Sequence, residues 1–217
     1  MRKLVFYSAW MITAFLAACL VVIAALYFSF DTDYNFLLSK QEMLDNPIWL
    51  TSFYIHLAFG IISVIAGFIL FFNRLVRFTS KLHKQIGKLY IISILFLTGP
   101  TGFYLSFYAE GGALASIGFI MMSFFWMYLT YMAFAKIIKG DIQSHYKWMI
   151  RSYCFTLSGI TLRLFTPIGV QIFGLDYETN FIFSAYIPWM LNLAIGELLI
   201  YLNRKSIKNY KLLITKS

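Results

Sequence analysis

The chain has 217 residues, of which 60% are hydrophobic and only 12% charged, and it carries a net charge of +9. An ordinary soluble domain is about 45–50% apolar and about 25% charged, so the composition excludes a soluble protein. Apolar runs of spanning length, about 20 residues each, begin near Val5, Ile48, Leu89, Ala113, Trp148 and Phe181 and leave no room for a separate soluble domain. The expected fold is all-α: one polytopic domain over residues 1–217 with six transmembrane helices, spans two to five forming the core bundle.

Span one, from about Val5 to Phe30 behind Met1, Arg2 and Lys3, far exceeds the roughly 7–15 apolar residues of a signal peptide and reads as a retained helix. The connection after it is acidic, with Asp31, Asp33, Glu42 and Asp45 and a single base, Lys40. Span two carries His56, and Arg74 follows 18 residues later, five helical turns on and therefore in line. That line runs through Gly60, Ser63 and Gly67. Small residues at this spacing admit either a neighbouring helix or a flat cofactor.

A basic stretch of Arg74, Arg77, Lys81, Lys84 and Lys88 leads into span three. His83 stands about one turn before its apolar run, behind Ser80, a residue type that caps helices. Further in come Gly99, Pro100 and Gly102, where a proline kink either opens a cavity or shapes the bundle. Glu110 marks the next acidic connection, and span four contains Trp126 but no histidine.

Lys136, Lys139, Lys147 and Arg151 surround the junction of spans four and five, where Asp141 is placed to cap the turn bearing His145. His145 and Arg163 are again 18 residues apart. Ser152, Thr156 and Gly159 lie on the stripe between them, so span five is expected to turn one continuous polar face inward. Asp176 and Glu178 precede span six. Glu197 within that span falls at about the depth of Arg151, which predicts a buried ion pair. Arg204, Lys205, Lys208, Lys211 and Lys216 make the tail, residues 203–217, basic.

Lysine and arginine near span ends favour the cytoplasmic side. A multi-pass membrane protein with both termini cytoplasmic is therefore expected. This segregation accounts for the net positive charge without nucleic acid, and the basic tail suits anionic headgroups. Cys19 and Cys154 both fall inside apolar runs and read as small buried hydrophobes rather than a disulfide. No Gly-rich phosphate loop, paired-cysteine metal motif or nucleophile elbow is present in the sequence.

His56, Arg163 and Glu197 remain at membrane depth, where a titratable group needs protein, a cofactor or water against it. Counting from the outer ends of spans two and five puts His56 and Arg163 level, each roughly 12 Å deep. They are expected to line one polar pocket, with Arg163 holding an anion, a carbonyl or a cofactor carboxylate. The alternative is an arginine that snorkels outward or bonds carbonyls freed near Thr166 and Pro167. His83 and His145 share a depth on the cytoplasmic side. Such a pair is able to ligate a haem iron from both faces, and is equally at home as surface histidines at a charged interface.

The segments HLAFGIISVIAG, LHKQIGKLY, a GF early in span four, HYKWMIRSY and TLRL resemble the bacterial membrane proteins grouped as domain of unknown function 2306. The likeness covers roughly residues 50 to 165 and names a family, not an activity. A fainter similarity is to cytochrome b-561-type electron carriers, carried by His56, Arg74, Lys81 and His83 in that order. By that analogy His83 and His145 would be the inner haem's ligands and His56 one ligand of an outer haem. That type supplies four histidines for two haems, whereas this chain has 3.

The leading functional expectation is a membrane redox protein with a b-type haem or a quinone. Two alternatives use the same residues: a transporter of a small anion or amphiphile, and an accessory or lipid-binding subunit whose partner is a membrane protein or a second copy of the chain.

Overall fold

The computed structural model describes residues 2–71 and 81–204. Arg74, Arg77, Ser80 and the lysines from Lys205 onward lie outside the described residues. Within them the chain is helical: α1 (Arg2–Leu26), α2 (Pro47–Phe71), α3 (Lys81–Ile92), α4 (Gly99–Ser106), α5 (Gly112–Ile138), α6 (Ile142–Thr156), α7 (Ser158–Gln171) and α8 (Tyr177–Leu202). These make six helical runs long and apolar enough to cross a membrane, packed into a bundle.

The third crossing is α3 and α4 joined by a π-helical segment, Ser93–Thr98. Its cause is local: Pro100 has no amide hydrogen and its ring crowds the preceding turn, and the wider π turn absorbs the mismatch. The fifth crossing is broken too, at Leu157 between α6 and α7. There Ile160 and Thr161 both donate to the Leu157 carbonyl, and the Ser158 hydroxyl bonds back to the Cys154 carbonyl, a pairing that bends helices. The break corrects one expectation: the stripe from His145 to Arg163 does not run on a single helix.

The helices also begin earlier than the apolar runs. α3 starts at Lys81 rather than near Leu89, and α6 at Ile142 rather than near Trp148, because their opening turns are amphipathic. His83 and His145 are thereby placed on rigid helix rather than in loops.

The bundle is polar inside and apolar outside. Ser63, Ser93, Thr98, Thr130, Ser152 and Ser158 are fully buried, while Met11 is 73% and Phe96 70% exposed. Large side chains turned outward are a liability in water, but against lipid they are the expected surface, and small residues let helices approach. At the centre the Tyr90 hydroxyl meets Ser152 Oγ at 2.8 Å and Thr156 Oγ1 at 2.9 Å. Thr130 Oγ1 meets Ser152 Oγ at 2.7 Å, and the Trp126 indole donates to Thr156 Oγ1 at 3.0 Å. Spans three, four and five are joined there, α8 packs on α5, α6 and α7, and α1 lies outside against α2.

Candidate functional site

Two ends of the bundle carry the histidines. At the end rich in Lys and Arg, the last turn of α2 and the opening turns of α3 and α6 surround an apolar cavity of ≈ 50 Å³. Leu70, Phe71, Gly87, Ile91, Ile142 and Met149 form most of its wall, and His83, His145 and Tyr146 complete it. The two imidazoles come from different helices and lie within electrostatic reach of each other.

His145 is held by a specific bond. Its Nδ1 lies 2.7 Å from the Ala133 carbonyl oxygen, which only accepts, so the ring donates from Nδ1. In the neutral imidazole Nε2 then carries the lone pair, the arrangement by which proteins fix the tautomer of a histidine that binds through its other nitrogen. Asp141 sets this helix start by accepting the Ser144 amide at 3.0 Å.

At the other end His56 is held in the same manner. Its Nδ1 lies 2.8 Å from the Thr98 carbonyl oxygen, at the end of the π segment, and the Thr98 hydroxyl donates to the His56 carbonyl at 3.0 Å. The ring packs closely on Gly102, where a Cβ would come within 2.8 Å of His56 Cε1. Arg163 is within electrostatic reach of His56 and of Tyr27. It is not bonded to either; its Nη1 donates to the Gly159 carbonyl at 3.1 Å, and the residue is exposed. Thus His56 and Arg163 are neighbours, but the arginine folds back on its own helix at Gly159 rather than onto carbonyls near Pro167.

The small residues of the stripes meet protein. The Tyr153 ring packs directly on Gly67, and Gly60 faces the Thr98 hydroxyl. Ser63 bonds to the Phe59 carbonyl, while Ser152 and Thr156 belong to the central hydroxyl cluster. These positions are filled by side chains, which fits helix packing. Tyr90, the hub of that cluster, is not distinguishable in the sequence from an interfacial tyrosine; its partners Ser152 and Thr156 carry the helical-spacing signal, and Thr130 does not.

Arg151 and Glu197 form a two-pronged pair, Nε to Oε1 at 2.5 Å and Nη2 to Oε2 at 3.0 Å. It is not enclosed as expected, since the Glu197 side chain is 51% exposed. Gly196 takes the inward position against Cys154 and turns Glu197 to the rim. Trp148 covers the guanidinium at 4.7 Å.

Among the described residues no three His, Cys, Asp or Glu side chains gather as a metal site. No curated protein and no solved structure matches the chain, and nothing in the comparisons supports the similarity to cytochrome b-561. A family model described as predicted membrane protein (DUF2306) matches residues 53–200. The match runs past the region of resemblance noted above and takes in most of span six. With about two thirds of its length inside that match, the chain belongs to the DUF2306 family of membrane proteins.

Proposed function

We propose that the protein is a quinone-linked membrane redox protein whose head-group site is the cavity between His83 and His145. The observation that carries this reading is the pair of imidazoles from separate helices lining one apolar slot, with the His145 tautomer fixed by the Ala133 carbonyl. Apolar walls with a few convergent polar groups are the usual make-up of a small-molecule site. His145 Nε2 accepts a hydrogen bond from a quinol hydroxyl, and His83 supplies the second polar contact. A bound quinone would bring the electron chemistry; the chain's part is to hold and orient it. The charge asymmetry supports a cytoplasmic position for this end of the bundle, in a bacterial inner membrane.

A b-type haem does not fit the cavity. Sites for cofactors of that size enclose roughly 300–1,000 Å³, against ≈ 50 Å³ here. The cavity is also smaller than the roughly 150 Å³ of one that holds benzene, so a quinone ring enters only with side-chain movement at its wall.

The test is equilibrium binding of a water-soluble quinone analogue to the purified protein, alongside its absorption spectrum. His83→Ala and His145→Ala should each weaken binding about tenfold, the effect of one lost hydrogen bond. Unchanged binding in both variants overturns the assignment, as does a stoichiometric haem that either variant loses. The first outcome favours transport of an anion or amphiphile instead, a reading supported by Arg163, to which no carboxylate is bonded among the described residues.

A further inference from the structure

Arg163 is the only charged side chain of α7, and α2, which carries His56 within its electrostatic reach, has none. It stands eight residues before Gln171, the last residue of α7, and so roughly 12 Å below the acidic end of the bundle. Among the described residues the ion pairs are Lys40 with Glu110 and Arg151 with Glu197, and neither reaches it. Its hydrogen bond is the one from Nη1 to the Gly159 carbonyl at 3.1 Å. A guanidinium has five N–H donors, so its charge and most of its donor capacity are left over.

The direction of the side chain is informative. An arginine that serves only the interface extends outward to headgroups and water. Bonding the carbonyl four residues earlier draws this one the other way, toward the middle of the membrane and deeper than its own Cα. At such a depth a cation needs an opposite charge or a wet cavity beside it. The neighbouring groups do not supply the charge. His56 donates from Nδ1 to the Thr98 carbonyl, and the Tyr27 hydroxyl accepts the Phe36 amide at 3.2 Å; neither is an anion. Arg163 itself is exposed, as are Leu164, Pro167 and Ile168 after it on α7. The partner therefore arrives through hydrocarbon rather than from within the bundle.

Two properties of that partner follow. One guanidinium with no second base on α2 or α7 balances a single negative charge, and its planar fork matches a carboxylate through two parallel hydrogen bonds. A ligand that reaches it past exposed leucine and isoleucine is otherwise apolar. We infer that Arg163 anchors the carboxylate of a long-chain acid taken from the bilayer. This site lies at the opposite end of the bundle from the histidine cavity and does not depend on what that cavity binds.

The experiment displaces a fluorescent long-chain fatty acid from the purified protein in non-ionic detergent at about pH 8, where the acid is ionised. Palmitate should compete, and methyl palmitate should compete at least about tenfold more weakly, the effect of losing a charged hydrogen-bonded pair. Arg163→Gln should bring palmitate down to the level of the ester and leave the ester unchanged. Equal competition by acid and ester on wild type overturns the assignment, whether or not the variant folds. Palmitate affinity that survives in Arg163→Gln overturns it as well. Phosphatidylglycerol competing as well as palmitate replaces the carboxylate with a lipid phosphate, and acetate competing as well as palmitate replaces the bilayer route with a free anion; either result overturns the inference.

Discussion

Asp141 shows how much one side chain at the rim controls. Its carboxylate accepts the Ser144 amide and opens α6 one turn ahead of His145. The Ser144 hydrogen bonds hold the Asp141 carboxyl below its ordinary value, helped by Lys136 and Lys147. A carboxyl with a lowered folded value contributes stability above its unfolded value and loses it as pH falls through the folded one. Asp141→Ala should therefore lower stability by about 1 kcal/mol at neutral pH. Thermal unfolding in detergent at neutral and acid pH checks this: the gap between variant and wild type should close below about pH 4. The Asp141 cap and the pairing of Arg151 with Glu197 were legible, because each depends on counting residues from a helix end; that the pair lies at the rim was not, since it turns on which way Gly196 faces. The Gly159 contact of Arg163 was not, because it follows from the break at Leu157, and no proline or glycine marks that break.

At the scale of the element, two glycines on facing helices behave differently. Gly67 on α2 is covered by the Tyr153 ring, which Phe71 also stacks against at 5.1 Å. A methyl group there forces the ring or the helix to move. Gly87 on α3 has nothing within 4 Å of a would-be Cβ. Gly67→Ala should destabilise by roughly 1–3 kcal/mol, as overpacking does. Gly87→Ala should be neutral or stabilising by up to about 1 kcal/mol through helix propensity. Parallel melting curves of the two variants decide it, and equal losses would contradict the packing described here. Periodicity marked Gly67 as one of a stripe of small residues but not what covers it, since that lies in what the neighbouring helix presents. The π segment was likewise legible only as a proline kink, and its extent, Ser93–Thr98, depends on tertiary contacts of Thr98 with His56.

For the whole molecule, charge divides the two ends. The exception on the acidic side is Lys40, and the structure accounts for it: its ammonium pairs with Glu110 at 2.5 Å and donates to the Tyr108 carbonyl at 2.6 Å. Paired in this way it counts little toward orientation, and the expectation of cytoplasmic termini rests on the bases at the other end. A fluorescent protein fused after Ser217 should fluoresce, and alkaline phosphatase fused after Glu110 should be active; the opposite pattern would reverse the topology. The number of spans and their order were legible because hydropathy alone fixes them. Which spans lie inside was less so, since span one is as apolar as the others and differs only in having α2 as its main neighbour.

The central hydroxyl cluster has a mechanical consequence. Its bonds, from 2.7 to 3.0 Å, tie α3, α5 and α6 through Tyr90, Thr130, Ser152, Thr156 and Trp126. Sliding any of these helices by one residue's rise, about 1.5 Å, stretches those bonds to roughly 3.1–3.4 Å, past their preferred lengths. The three therefore act as a single strut. Compliance is left to α1, which rests on α2 through apolar contacts such as Ala17 on Val64.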